Sequence, residues 1–448
     1  MEAQPTRTLK ERLLYTSARS DDASRMRAVV NSAILHLHPV AVPRAALRFS
    51  YTWGLGGISV FLGLLLGITG VLLMFRYDAS IERAYLSIQE LEATVIFGSL
   101  IRGIHHWSAN LLVVTTFLHL LRVFYTGGYK KGRWVNWFVG IALLLIVLAF
   151  NLTGYLLPWD QLAYWASTVS TGLLGYIPFV GRALSKFIIG GAVIGQGTIR
   201  NFYAVHVAAL PIIMAATLSY HFWKIRKNGG ISQPEQIEHQ QAEKATSIPH
   251  LVQREFAAAA IILTAVMIWA MFRPAPLQSL ADPSVSPNPA KAAWYFLGFQ
   301  ELLLHMHPSA TIGLVGLVLS FIFLIPILDP SNEDIGIYFR SKKGKWIALL
   351  SAFLAVDLVV ALVAVDEYWL DLSTSLPNLP ITISFGLIPL SIALLILGLI
   401  YVLNRMVFKA SHSEALVGIF TFVMISLITL TIIGIFFRGA NMVLALPG

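Results

Sequence analysis

Residues 102–122 read RGIHHWSANLLVVTTFLHLLR, and residues 202–224 read FYAVHVAALPIIMAATLSYHFWK. Each run is mainly apolar and about as long as an α-helix that crosses a bilayer, which takes about 20 residues. Each also carries two histidines: His105 and His119 are fourteen residues apart, and His206 and His221 fifteen. On an α-helix such gaps rise about 21 to 23 Å and return to nearly the same face after about four turns. One imidazole of each pair therefore lies near each edge of a hydrocarbon core about 30 Å thick. Ionisable side chains at that depth are costly and mark function by default.

The rest of the chain supports a membrane setting. Apolar residues make up 56 % of it and charged residues 12 %, about half the charged share of a soluble domain. Nine apolar stretches qualify as spans: roughly 52–75, 104–125, 135–156, 202–224, 255–273, 310–328, 346–365, 381–403 and 415–437. The expected fold is an all-α polytopic membrane protein with a four-helix bundle in its N-terminal half. Cysteine is absent, which excludes disulfides, thiolate metal sites, iron–sulfur clusters and thioether-linked haem on this chain. The net charge of +9 reads as topology, not nucleic-acid binding. With a cytoplasmic N-terminus, 23 of the 32 basic residues fall on the cytoplasmic side, as the positive-inside rule requires. The C-terminus then lies outside.

Four segments follow: 1–50, cytoplasmic; 51–230, the four-helix domain; 231–254, a cytoplasmic linker; and 255–448, five further spans. The first fifty residues are basic and interrupted, unlike a cleavable signal peptide. Within them 28–42 reads either as an interfacial amphipathic helix or as a loosely ordered tail. The long segments 157–201 and 274–309 fall on the outer side, and connections of that length are usually functional.

Two helices with matched histidine pairs can clamp two stacked haems, each held by two imidazoles: His105 with His206, and His119 with His221. Such ligation leaves no open iron position and suits electron transfer. A single intramembrane histidine more often bonds a neighbouring helix, but two matched pairs favour ligation. His106 points about 100° away from His105 and is read as a non-ligand. A flat ring needs small residues beside it. Gly56, Gly57, Gly63, Gly67 and Gly70 on the first span and Gly140 and Gly154 on the third can supply them, although ordinary helix packing uses glycine too. Arg102 and Arg76 are candidates for haem propionates, with snorkelling to the interface as the plainer alternative.

The run from Arg102 to Asn110 with His119 to Arg122 resembles cytochrome b of the quinol:cytochrome c oxidoreductases. So do LTGYLLPWDQ at 152–161 with Tyr164 and Trp165, and Phe202, Tyr203, His206, Pro211 and His221. The resemblance covers about 45–230, and the fifteen-residue gap is similar to the chloroplast-type branch. It is weaker over 255–330, where NPAKAAWYF at 288–296 is similar to the family's second quinol loop. The family has eight helices in one chain, or four plus three in two, so this chain resembles a fused bacterial form with an extra span.

The resemblance implies two b haems, His105 and His206 holding the outer one and His119 and His221 the inner. It implies oxidation of a (mena)quinol at the outer side, between the Pro158–Gln161 segment, with Asp160, and Trp294 with Tyr295. One electron would pass to a Rieske-type iron–sulfur protein and a cytochrome c subunit. The other would pass inward to a quinone beside Arg226 and Lys227, within a homodimeric complex of the bacterial inner membrane that translocates protons.

Two departures stand out. Ala292 and Ala293 occupy the place of the family's Pro-Glu, so the glutamate thought to accept a quinol proton is missing. Glu301, two turns beyond Trp294, is the expected substitute, with His305 or Asp160 behind it. Gly54 takes the place of the branch's haem-linking cysteine, so no covalent haem is expected. His305 and His307, near the end of 274–309, serve either proton handling or simply the surface; Asp357, inside the seventh span and surrounded by no motif, is either a functional residue or the cap of a helix contact. Two other functions compete: a dihaem anchor that does not split electrons, and a transporter with a histidine proton relay.

Overall fold

The computed structural model describes residues 41–233 and 244–446. Among these, nine helices are long and apolar enough to cross a membrane. In chain order the helices are α1 (Leu55–Met74), α2 (Ala84–Thr94), α3 (Gly98–Tyr125), α4 (Trp134–Leu156), α5 (Gln161–Leu174), α6 (Gly181–Ile189), α7 (Gln196–Lys227), α8 (Ser247–Phe272), α9 (Trp294–His305), α10 (Pro308–Leu328), α11 (Lys342–Tyr368), α12 (Ile383–Met406) and α13 (His412–Phe436). The shorter α2, α5, α6 and α9 sit on connections that emerge at one face, called the long-loop face. Both 126–133 and 329–341 emerge at the other, the short-loop face. The protein is an all-α, multi-pass membrane protein.

All nine expected spans are present, but several run further than hydropathy indicated. α3 starts at Gly98 instead of 104, α7 at Gln196 instead of 202, and α11 covers 342–368 instead of 346–365. Charged residues end a hydropathy window, whereas a helix ends only where its backbone groups find other partners. At α11 the partner is Ser341, whose side chain accepts from Gly344 N at 2.9 Å. At α13, Ser411 and Glu414 form a reciprocal capping box. The segment 28–42 lies outside the described residues except for Ala41 and Val42, which open strand β1 (Ala41–Pro43). This pairs antiparallel with β2 (Lys244–Thr246) inside the expected linker 231–254, of which 234–243 lie outside the described residues and 247–254 already belong to α8.

The ninth span is central to the C-terminal half. More than half of its apolar window (56 %) is buried, against 11–33 % for the other eight spans. Glycine lets it approach its neighbours closely. A Cβ on Gly298 of α9 would meet the Leu427 carbonyl of α13 at 2.8 Å, and one on Gly434 would meet Leu297 at 3.2 Å. Phe420 stacks on Phe124 of α3 at 3.7 Å between centroids, so α13 also joins the two halves.

At the short-loop face the same junction is ionic. Asp329 is buried and accepts from Tyr129 Oη at 2.6 Å and Ser413 Oγ at 2.8 Å, with Lys130 Nζ at 3.1 Å. Arg340, also buried, donates to the Tyr129 hydroxyl and the Tyr125 carbonyl, each at 2.9 Å. Burial pushes the Asp329 carboxyl up, but its hydrogen bonds and Lys130 hold it below the usual carboxylate range. Burial and Arg340 pull Lys130 below its usual value despite Asp329. The cluster therefore holds two cations around one anion. Asp329→Ala leaves both cations buried without a counter-charge, a loss of about 3–5 kcal/mol. A clear drop in the thermal midpoint of the solubilised protein is expected, and an unchanged midpoint refutes this account.

Candidate functional site

The site begins with α3 and α7 crossing side by side with α1 and α4. Each of the four histidines faces a glycine on a neighbouring span. A Cβ built on Gly70 would lie 3.3 Å from His105 Cε1, and one on Gly154 only 2.7 Å from His206 Cε1. The second layer repeats the pattern: Gly56 to His119 at 3.4 Å and Gly140 to His221 at 3.7 Å. The two glycines on each span are fourteen residues apart, matching His105 and His119. The fifteen-residue gap on α7 fits the same two layers because Val205–Ala209 forms a single π-turn around His206. Such a turn absorbs one extra residue within a helix.

The histidines of the first layer are oriented by threonine. Thr69 Oγ1 donates to the Leu65 carbonyl at 2.8 Å and stands 2.9 Å from His105 Nδ1. Thr153 Oγ1 donates to the Ala149 carbonyl at 2.8 Å and stands 3.1 Å from His206 Nδ1. Each hydroxyl has one proton, already committed to a carbonyl, so it accepts from Nδ1–H. Nε2 is left bare for a metal. The rings of His105 and His206 have centroids 6.4 Å apart. In that arrangement their Nε2 atoms would hold an iron between the two rings. In the second layer the buried His221 Nδ1 has no hydrogen-bond partner. Arg122, one turn beyond His119, is buried with its guanidinium 4.8 Å above the Tyr51 ring and one terminal nitrogen unpartnered. These residues fit two bis-imidazole haems, and Arg122 fits an acidic substituent of the second.

A small cavity lies at the long-loop face between α4, α5 and the start of α9, lined by Leu152, Tyr155, Ala166, Ser170, Ala292, Ala293, Tyr295 and Phe296. Its two walls are tied together. Asp160 is buried, caps α5 through Ala163 N at 2.9 Å, and accepts from Gln278 N at 2.9 Å. Asp282 N donates to Gln161 Oε1 at 2.6 Å, and Trp165 Nε1 donates to the Val285 carbonyl at 2.9 Å. Trp294 Nε1 donates to Asn110 Oδ1 on α3 at 2.6 Å. Burial pushes the Tyr295 hydroxyl up, and Tyr155 adds to the effect.

Glu301 does not line this cavity. It lies five and six residues beyond Phe296 and Tyr295, which turns it to the opposite side of α9. There it is fully buried, and Arg438 Nε donates to it at 2.9 Å. Arg438 also reaches Glu367 at 2.9 Å and the Met442 carbonyl at 2.8 Å. His305 stands 3.3 Å from Glu301 and 2.6 Å from Asp366.

Comparison with known proteins agrees with this geometry. The family described as "Cytochrome b/b6/petB" matches residues 42–229, and "Cytochrome b(C-terminal)/b6/petD" matches 280–379. The chain belongs to the cytochrome b/b6 family. Cytochrome b6 of Porphyra purpurea is 42 % identical over 176 residues, 39 % of this chain and 81 % of that protein. Cytochrome b6 of a Cyanothece species is 42 % identical over 175 residues, 39 % of this chain and 79 % of its own length. A solved chain titled "Hyperthermophilic respiratory Complex III" shares the fold with a TM-score of 0.61 at 22 % identity, covering 86 % of this chain and 91 % of that one. Members of this family are the haem b-carrying redox subunits of quinol-oxidising complexes, and so is this chain. It works in an assembly with other redox subunits.

Within the cytochrome b frame, two expectations need correction. Arg102, a candidate for a haem propionate, is engaged elsewhere. Its guanidinium pairs with Glu92 and donates to the Ala275 and Pro276 carbonyls, because the connection after α8 crosses directly over it. Glu301 is not beside the cavity, because Arg438 holds it on the far side of α9. His106 stands near Asn110, away from the glycines. His307 caps α10 by accepting from Ser309 N, and Arg76 and Arg226 are exposed. Arg122 and Arg438 were missed. Arg122 carried a signal, three residues past His119 on its face; Arg438 carried none.

The Arg438 cluster should respond to pH on two sides. Burial raises Glu301, but bonds from His305 and Arg438 more than reverse this and leave it below its usual 4.5. Its contribution is full above that value and fades as pH falls through the lowered one. Burial lowers His305, but bonds to Asp366 and Glu301 more than reverse this and leave it above its usual 6.5. That contribution is full below 6.5 and fades as pH rises through the raised value. Hydrogen-exchange protection of 437–445, corrected for intrinsic rates, should therefore peak between 4.5 and 6.5. Arg438→Ala should abolish the peak; a flat profile in the unaltered protein contradicts the assignment.

Proposed function

We propose that this chain is a dihaem cytochrome b that oxidises a (mena)quinol in the long-loop-face cavity and sends electrons across the membrane to a quinone near Arg226. The pairing of four imidazoles with four glycines in two layers carries the reading. With b haems bound between those imidazoles, the protein acquires one-electron transfer with no open iron position. The chain's own residues do the rest. His105, His206, His119 and His221 present Nε2. Thr69 and Thr153 fix the first pair of rings. Gly56, Gly70, Gly140 and Gly154 keep the space clear, and Arg122 neutralises an acidic substituent.

At the cavity, the Tyr155 and Tyr295 hydroxyls are the polar groups placed to meet a quinol hydroxyl. Trp294 is held by Asn110, and the Asp160 and Gln161 contacts hold the two walls in register. Oxidation of a quinol to a quinone releases two electrons and two protons. In this reading one electron leaves to a Rieske-type iron–sulfur partner and a cytochrome c subunit, and the other passes inward. Behind α9, Glu301, Asp366 and Glu367 set a negative field around His305 that draws a released proton outward. The bias of basic residues supports a bacterial inner membrane with the N-terminus cytoplasmic, and the family resemblance supports a homodimer.

A second reading, electron transfer without splitting, is favoured by one observation: the cavity lining contains no carboxylate. Two experiments decide. Haem extracted from the purified complex should amount to two b haems per chain, and His206→Leu or Gly154→Val should remove one. One haem or none in the unaltered protein ends the dihaem reading. Removing the iron–sulfur partner should stop haem reduction by quinol at the cavity if electrons split. Undiminished reduction would favour the second reading.

A further inference from the structure

The charged residues of the nine spans cluster at span ends, with one exception. Asp357 lies fifteen residues past Lys342 and eleven before Tyr368 on α11. Those distances are about 22 Å and about 16 Å along the helix axis, which places Asp357 near the bilayer midplane. Its side is not the one packed on α13. Ala348, Ser351, Ala355 and Val363 are buried on the packed side, whereas Phe353, Val356 and Val360, with Asp357 among them, are exposed.

Among the described residues Asp357 makes no hydrogen bond and no ion pair. Intramembrane carboxylates almost always face a bundle interior or a water-filled cavity, and they pair with a cation or a donor. This one faces outward on an apolar stripe and has no partner among the described residues. By contrast, the buried acids of the C-terminal half, Asp329, Glu301 and Glu414, each have at least two partners.

We propose that Asp357 marks the docking site of a transmembrane helix from a different subunit, and that this helix carries a lysine or arginine at the same depth. Charge complementarity selects the occupant. A symmetric contact centred on this stripe would set Asp357 against its own copy, a like-charge pair with no counter-charge. Lipid tails offer no partner. A basic side chain on a foreign helix satisfies the carboxylate, and Phe353, Val356 and Val360 supply the apolar surface around the pair. The chain is a subunit of an assembly, so such a helix has a source. The inference is independent of haem number and of where quinol binds.

The test uses the intact complex, purified through a tag on this chain, with a photoreactive residue in place of Val360. The expected cross-link joins a membrane-spanning peptide of another subunit, with a lysine or arginine within about one turn of the linked residue. Asp357→Leu should deplete that subunit about tenfold or more, the scale on which a buried pair fails when one partner is removed. Haem content should stay unchanged, which shows that the chain still folds. Should Asp357→Leu fail to assemble, exchanging the charges, Asp357→Lys with the partner's base changed to aspartate, should restore the subunit. The proposal is overturned if only lipid or a second copy of this chain is linked. Full retention of the linked subunit in the Asp357→Leu complex, or failure of the exchanged pair to restore it, overturns it equally.

Discussion

Each histidine of α3 and α7 reaches the interior of the bundle opposite a glycine, whose missing side chain leaves the ring its space. At Gly154 the fit is tightest, since a Cβ there would lie 2.7 Å from the His206 ring and force it to shift. At the other three positions a Cβ would come close to the ring or touch it. This steric condition fixes the registers of four spans together. A one-residue slip on any of them would turn its glycine or histidine by about 100° and bring bulk into the shared space. The π-turn at His206 is best understood as accommodation to that condition. Pro211 has no backbone N–H and disfavours regular α-helical bonding to the turn before it. The wider turn therefore arises where one extra residue must be absorbed.

The rest of the molecule holds that bundle in place by pairing charge. In hydrocarbon an unpaired polar group is expensive, and the two halves of the chain meet where such groups find partners. At the short-loop face the meeting point is Asp329, with Lys130 and Tyr129 from the N-terminal half and Ser413 from α13. At the long-loop face, Asp160 and Gln161 bind the backbone of 278–285. Arg102 binds the carbonyls just ahead of it. The polar residues that the sequence places beside the haem motif thus serve the loops as much as the bundle. Arg102 shows why face and spacing alone mislead. It shares a face with His105, but its long side chain reaches the neighbouring loop first.

What the sequence made legible was whatever depends on one helix at a time. Hydropathy located all nine spans, and period and rise placed the histidines in two layers. Gly56, Gly70, Gly140 and Gly154 were among the seven glycines expected on the first and third spans. Gly63 and Gly67 have nothing within 4 Å of a built Cβ, and nothing in the sequence separated them from the other four. Contacts between distant elements were not legible. Uniform apolarity gave α13 no identifiable face, so a span that reads as an addition at the C-terminus is the most enclosed one. Arg438 follows it in a stretch without a motif, so its ion pair with Glu301, 137 positions away, was visible only in the fold.

That ion pair changes how α9 can work. A carboxylate fully buried against a guanidinium is held ionised, and taking up a proton would leave Arg438 with one fewer compensating charge. Glu301 is therefore better suited to fixing the electrostatic potential behind α9 than to acting as a free base beside a substrate. The negative charge of Glu301, Asp366 and Glu367 exceeds the single permanent positive charge of Arg438. The surplus favours a proton on His305, as its raised pKa indicates. A proton leaving the cavity would meet the tyrosine hydroxyls first and this negative field second. Ala292 and Ala293 leave the cavity itself without a charged group, and α13 with its tail supplies the charge from the other side of the helix. The ninth span thus belongs to the same electrostatic unit as the cavity wall.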